Sequence, residues 1–280
     1  MATTEAATAA VHCDGLVKVY RSATGETHAL RGIDLVVRRG YVTVIAGPSG
    51  SGKSSLLRLL AARDRPSAGQ LSVLGIDVVQ ATSRALRELR RQQIGFVAQR
   101  SSASLFPHLS ARDQLLEVSS IRGGRLADAD VSAALAVVGL QERAAHRPGM
   151  SSGGEQQRLA VAMALVSSPP LVVADEPTAE LDHANADLVL TALTGAARAG
   201  TAVVVTSHDE RVVRRADRVL RLRHGVLSSE TERAGTAMTL IDSSGRLQLP
   251  QEALDLFPNG RAELRVADGA VTLTPPQDDP

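Results

Sequence analysis

The stretch GPSGSGKS, Gly47 to Ser54, lies between an apolar run and a helical one and matches the spacing G-x-x-x-x-G-K-[ST]. That spacing suits a loop wrapped around the phosphates of a nucleotide. Gly47, Gly50 and Gly52 permit a tight curl, and the backbone that also carries Pro48, Ser49, Ser51 and Ser55 turns its N–H groups toward the β-phosphate. Lys53 reaches the β and γ phosphates, and the Ser54 hydroxyl binds magnesium.

Downstream, LVVADEP ends an apolar run in Asp175 and Glu176. A strand-end aspartate alone is more often a cap. Beside a phosphate loop, Asp175 is the expected magnesium-side carboxylate, which leaves Glu176 to polarise an attacking water. Two adjacent carboxylates with different tasks point to hydrolysis. His208 in VVVTSHDE follows another apolar run, where the ends of parallel strands gather ligands, so it can bond a γ-phosphate and hold the water. A lone histidine is usually structural, and only the company of the phosphate loop reverses that. Gln99, closing IGFVAQ, carries an amide able to reach magnesium or water.

MSSGGEQQRL, Met150 to Leu159, reads two ways. Ser151 or Ser152 can cap the helix that follows, with Glu155 at the capping-box position three residues after Ser152. Alternatively, Gly153 and Gly154 let an anion approach bare N–H groups at a helix start.

These residues need a scaffold. LVKVY and IDLVVRRGYVTVIAG read as strands, the second ending in the glycine-rich loop, and KSSLLRLLAAR reads as a helix with Leu56, Leu57, Leu59 and Leu60 on its inner face. GQLSVLGIDV and IGFVAQ add short strands. Residues from about 107 to 150 read mostly as helices that interrupt the strand pattern. LVVAD and AVVVTSH are continuous apolar runs of the kind buried on both faces of a parallel sheet. The expectation is an α/β chain.

Composition narrows the class. With 44% hydrophobic but only 2% aromatic residues and no Trp, the core must rest on Leu, Val and Ala. A net charge of +1 neither favours nor opposes nucleic acid, and the single cysteine, Cys13, excludes an intramolecular disulfide. The opening MATTEAATAAVHCDG has no basic segment followed by an apolar core, so no secretory signal is expected. Apolar runs fall far short of the roughly 18 residues of a membrane span.

The ordered set GPSGSGKS, IGFVAQ, SSGGEQQRLAVAMAL, LVVADEPTAELD and VVVTSH resembles the nucleotide-binding subunit of an ABC transporter over about residues 11 to 232. The resemblance implies a P-loop NTPase parallel-sheet core, an antiparallel β subdomain and a helical insertion at about 100–165. It implies ATP and Mg2+ as cofactors and ATP hydrolysis coupled to transport. Ser152, Gly153, Gly154 and Glu155 then belong to the signature sequence, which touches the ATP held by a second subunit's phosphate loop. The implied partners are a homodimer mate and an integral membrane permease, with the chain peripheral on the inner face of the cell membrane. Tyr20 resembles the aromatic that stacks on adenine, in a chain with only two Tyr and three Phe. Asp182 resembles the loop coupling the two ATP sites, and Pro107 and His108 lie where the helical insertion meets the permease. Ser151 stands for the usual Leu, Met163 for an Arg and Tyr41 for an acidic residue. VAQRSSASLFPHLSARDQL and ADEPTAELD are similar to the lipoprotein-release and macrolide-export branch.

From about Thr236 the texture changes to strand, short helix, PNG turn and a hairpin with Asp268-Gly269 at its tip. Residues 236–275 resemble an AbrB-like swapped-hairpin unit, and residues 1–10 and 276–280 read as disordered ends. Such units often bind DNA. Between 236 and 280, however, three arginines face seven acidic residues, which disfavours nucleic acid and leaves dimerisation or regulation. Two other classes stay open: a soluble or scaffold ABC ATPase with a regulatory role, and an ATP-sensing transcription factor, which the same charge count disfavours.

Overall fold

β1 (Ala9–Ser22) and β2 (Gly25–Arg38) form an antiparallel pair, and the run that reads as continuous from Ile33 to Gly47 breaks at Gly40, which takes φ 78°. It restarts as β3 (Val42–Ala46) in a different sheet, the Val42 N–H donating to the Asp217 carboxylate at 2.9 Å. The break lets one apolar run serve two layers. The computed structural model describes residues 9–23, 25–179, 181–232, 238–241, 245–247, 249, 251–257, 261–267 and 270–276.

After the glycine-rich loop comes α1 (Lys53–Leu60), with Leu56, Leu57, Leu59 and Leu60 all fully buried. At eight residues it is below the roughly 12–15 at which isolated helices become even marginally stable. Its anchorage comes from packing, since each leucine contributes roughly 1.5–3 kcal/mol on full burial. β4 (Ala68–Val73) and β5 (Ile76–Asp77) complete an antiparallel sheet of order β2-β1-β4-β5. Next is α2 (Ser83–Gln93), a helix the apolar pattern did not announce. Thr82 caps it by accepting the Ala85 N–H at 3.2 Å, and only Leu86 and Leu89 are buried, so a thin stripe is lost among arginines.

β6 (Ile94–Val97) precedes the helical insertion, which holds α3 (Ala111–Ile121), α4 (Asp128–Val137) and α5 (Gly153–Leu165). Then follow β7 (Leu171–Asp175), α6 (His183–Arg198), β8 (Ala202–Thr206), α7 (Glu210–Arg215), β9 (Arg218–Arg223) and β10 (Val226–Glu232). With β11 (Met238–Thr239) they make a seven-stranded sheet of order β11-β10-β9-β3-β8-β7-β6, parallel from β9 to β6.

Neighbouring residues on the parallel strands enter different cores. Val44, Val172, Val203 and Val205 pack with the helical insertion and α6, while Ile45, Val173 and Val204 pack with α1 and the antiparallel sheet. Covering on both faces explains why these strands read as unbroken valine runs. Gly95 on β6 has no room for a side chain, because a Cβ would overlap the Ala164 carbonyl oxygen of α5. The end of α5 has no basic residue of its own; Arg122 supplies the donors, reaching the carbonyls of Val166 and, at 3.2 Å, Ala164. Burial pulls the Arg122 pKa down to about 10. Met163 lies in the core behind this cap.

The C-terminal stretch contains α8 (Gln251–Leu254) and an antiparallel pair, β12 (Glu263–Ala267) with β13 (Ala270–Thr274). The PNG and Asp268-Gly269 turns, and most of the end segments expected to be disordered, lie outside the described residues. Among the described residues, no helix is long and apolar enough to cross a membrane.

Candidate functional site

The loop between β3 and α1 curls because Gly47, Gly50 and Gly52 take φ of 158°, 76° and 105°. Gly52 must also lack a side chain, since a Cβ would overlap the Ala29 carbonyl oxygen of β2. The turn between β9 and β10 braces the loop from behind, with the Gly225 N–H donating to the Ser51 carbonyl at 3.0 Å and the Arg31 N–H to the Gly225 carbonyl at 2.9 Å. Lys53 Nζ folds onto the loop, donating to the carbonyls of Gly47 at 2.7 Å and Pro48 at 3.0 Å. These are bonds a phosphate oxygen can replace.

The loop floors an open cleft of about 770 Å³. Its walls include Tyr20, Gly47, Pro48, Ser49, Gly50 and Gly52. They also include Lys53, Ser54, Ser55, Gln99, Asp175, Glu176 and His208, so the structure brings these sequence-predicted groups to one place. Ser51 is the loop's exception: its side chain is turned inward, and its buried hydroxyl has no hydrogen-bond partner among the described residues. Ser54, Gln99 and Asp175, all lining the cleft, offer hydroxyl, amide and carboxylate oxygens, a donor set suited to a hard divalent cation.

Strand ends aim the acidic groups. Asp175 closes β7 opposite Thr206 of β8, and the Thr206 hydroxyl donates to Asp175 Oδ1 at 2.6 Å. Glu176 then turns into left-handed backbone, φ 48°, with its N–H shared between the Thr206 carbonyl at 3.2 Å and Thr206 Oγ1 at 3.1 Å. Its Oε1 lies 3.0 Å from His208 Nδ1, and while the Glu176 side chain is only 13% exposed, that of His208 is 78% exposed. A sheltered carboxylate thus meets an accessible imidazole at the mouth of the cleft.

Tyr20 also lines the cleft and is not a core aromatic, being 38% exposed. Its hydroxyl donates to Asp64 Oδ2 at 3.4 Å, and Lys18 Nζ, 5.0 Å from the ring centroid, holds Asp64 at 2.9 Å. Burial raises the Asp64 pKa, but the Lys18 ammonium and the Arg65 N–H outweigh it and leave the carboxyl below the usual range.

The glycine-serine stretch stands apart. Ser152, Gly153, Gly154 and Glu155 do not line the cleft, and neither does Asp182. Ser152 Oγ accepts the Glu155 N–H at 3.2 Å, and the Ser152 N–H donates to Glu155 Oε2 at 2.9 Å, a complete capping box. That N–H is the main reason the Glu155 carboxyl lies below its ordinary pKa. Asp182 caps α6, accepting the Asn185 N–H at 2.8 Å, and this bond lowers its pKa likewise. His108 belongs to a second recess of about 440 Å³ on the helical insertion, with Arg112, Asp113 and Arg147; Pro107 is exposed beside it.

The sequence reading missed Thr27, His28, Ala29 and Ala179 in the cleft wall, and Thr206 beneath it. Pairing of Tyr20 with Thr27 across β1 and β2 brings the first three there. No motif marks those three, whereas Ala179 and Thr206 lie inside LVVADEPTAELD and VVVTSH without having been singled out there.

A family model described as ABC transporter matches residues 30–179. The chain is 40% identical over 225 residues to the lipoprotein-releasing system ATP-binding protein LolD of Chromohalobacter salexigens, covering 78% of this chain and 92% of that one. To the LolD of a Ruegeria species it is 41% identical over 218 residues, 76% of this chain and 95% of that one. Among solved structures it is similar to the ATP-binding cassette MJ0796, a dimer in a post-hydrolysis state bound to ADP and Pi. The TM-score is 0.75 at 30% identity, over 81% of this chain and 100% of that one.

Proposed function

Because the chain belongs to the ABC transporter family as an ATP-binding subunit, we propose that two copies close head to tail on two ATP molecules and drive a separate integral membrane permease. The observation that carries this reading is the separation within one chain. The phosphate loop, both carboxylates and His208 share a cleft, while Ser152, Gly153 and Gly154 stand outside it with little side chain of their own. A second copy brings its own α5 terminus to the open side of that cleft, where the exposed N–H groups and the helix dipole favour a γ-phosphate. The capping box holds the turn in shape for that contact, so capping and anion binding are one device.

In this reading the triphosphate lies on the glycine loop, Lys53 exchanges its loop carbonyls for β and γ oxygens, and Tyr20 stacks on the adenine. Ser54, Gln99 and Asp175 hold Mg2+, which neutralises charge on the phosphate oxygens. Glu176 takes a proton from the attacking water. His208, bonded to Glu176, holds the γ-phosphate and keeps that carboxylate aimed. Asp182 carries closure from one site to the other. Ser151 and Met163 touch neither loop nor carboxylates, so their departures from the family pattern leave hydrolysis intact.

The recess at His108 receives the permease, which places the subunit peripherally on the inner face of the cell membrane. LolD relatives are named for lipoprotein release, and an extraction or export system is the reading we adopt. We read residues 236–275 as an AbrB-like self-associating unit. In support, Leu264 pairs with Leu273 and Val266 with Val271 on one face of the hairpin, leaving Glu263, Arg265, Thr272 and Thr274 on the other.

The test is a pull-down of tagged Glu176→Gln with ATP and Mg2+ from gently solubilised membranes of its own organism. Co-purification of a multi-span membrane protein, lost on adding Lys53→Ala, is the expected result. Recovery of soluble protein alone, from a preparation that binds ATP, would contradict the transporter reading.

A further inference from the structure

Thr206 ends a run of three valines, Val203 to Val205, and is completely buried. Valine and threonine have nearly the same shape, so packing does not require a hydroxyl here, and burying one without a partner is unfavourable. A hydroxyl in this sheet is not bonded automatically: Thr43 on β3 is equally buried, and its Oγ1 has no hydrogen-bond partner among the described residues. The Thr206 hydroxyl has two partners, and both belong to the acidic pair. It donates to Asp175 Oδ1 at 2.6 Å, within the range of a charge-assisted bond, and accepts the Glu176 N–H at 3.1 Å. Glu176 sits at φ 48°, a left-handed backbone that a residue with a Cβ keeps only where its surroundings hold it.

We infer that Thr206 is a positioning residue whose single buried hydroxyl fixes both the rotamer of Asp175 and the left-handed turn at Glu176. The two carboxylates thereby keep a set separation, one toward the metal and one toward the water. The strand register makes this exact pairing available, because Asp175 and Thr206 face each other across β7 and β8. Valine in place of Thr206 preserves the backbone carbonyl bond to the Glu176 N–H but leaves Asp175 Oδ1 without this donor. The inference rests on the roles proposed above for Asp175 and Glu176.

The experiment compares Thr206→Val, Thr206→Ser and, as a control in the same sheet, Thr43→Val, all in the full chain. ATP binding is titrated with Mg2+ and repeated in EDTA, and kcat and KM are measured separately. Thr206→Val is expected to need about tenfold more Mg2+ and to lose about tenfold in kcat, while its ATP affinity in EDTA stays within about twofold of the parent. Thr206→Ser restores both to within about threefold, and Thr43→Val changes neither. Parent-like Mg2+ dependence and kcat in Thr206→Val would overturn the inference. So would a Thr206→Ser variant as impaired as the valine one, since serine keeps the hydroxyl, and the effect would then lie in packing at this position and not in the hydrogen bonds. If Thr206→Val does not melt cooperatively, Thr206→Ala against Thr206→Ser poses the same question, since that pair differs only in the hydroxyl. Glu176→Gln run alongside separates the two levels: normal turnover there overturns the role of Glu176 itself, whereas its inactivity beside a parent-like Thr206→Val overturns only the role of Thr206.

Discussion

His208 Nδ1 and Glu176 Oε1 lie 3.0 Å apart at the mouth of the cleft, one carried just past the end of β8 and the other just past the end of β7. The imidazole meets the carboxylate at one oxygen, and in the proposed reading the other serves the attacking water. Glu176→Gln keeps the shape but removes the proposed base. It is expected to bind ATP within about twofold of the parent and to lose at least about a hundredfold in turnover, the usual scale of a lost general base. Nucleotide binding and phosphate release measured on one preparation check both halves.

Tyr20 presents its ring to the cleft while its hydroxyl is tied to Asp64. Tyr20→Ala should weaken ATP by roughly 1–3 kcal/mol, the value of one base–aromatic stack. Tripolyphosphate, which has no base, should bind as before. Competition titrations with the two ligands decide it, and an equal loss for both would place the damage in the loop.

Cys13, the only cysteine, is buried in the antiparallel sheet beside Asp34, and burial first, then that carboxylate, pushes its thiol pKa up to about 12. Thiolate is the reactive form, so the native chain should be inert to a disulfide reagent at pH 8. Labelling is expected to appear only with denaturant and to follow the unfolding transition. Prompt labelling of folded protein would mean that β1 opens locally.

Gly95→Ala should destabilise the chain by about 3 kcal/mol, the upper part of the range for overpacking, because the added methyl meets the Ala164 backbone and not a movable side chain. Denaturant melts compare it with the parent. The same variant should lower nucleotide-dependent dimerisation in proportion, since β6 and α5 then separate.

Legibility followed local chemistry. Phosphate-loop glycines, Lys53, the carboxylates after LVVA and His208 were readable because each depends on a residue type at a strand end. The leucine face of α1 was readable because both period and burial favour it. Three things were not. Arginines masked the two-leucine stripe of α2. The break at Gly40 depends on Asp217, distant in sequence, which fixes where β3 begins. His28 reaches the site through strand pairing, which no local motif encodes, and Thr206, though inside VVVTSH, shows its bonds to Asp175 and Glu176 only once β7 and β8 pair. Ser151 and Ser152 looked interchangeable as caps, and the structure gives the cap to Ser152 alone.

In the proposed dimer each ATP is held between the phosphate loop of one copy and the Ser152–Gly154 turn of another. Sedimentation velocity of Glu176→Gln, with and without ATP and Mg2+, tests it most directly, with Gly154→Glu added as a second change. Monomer is expected without nucleotide, dimer with it, and monomer again when Gly154→Glu sets a negative charge against the γ-phosphate, although ATP is still bound. A Glu176→Gln chain that is saturated with ATP yet stays monomeric, or a dimer indifferent to Gly154→Glu, would contradict it.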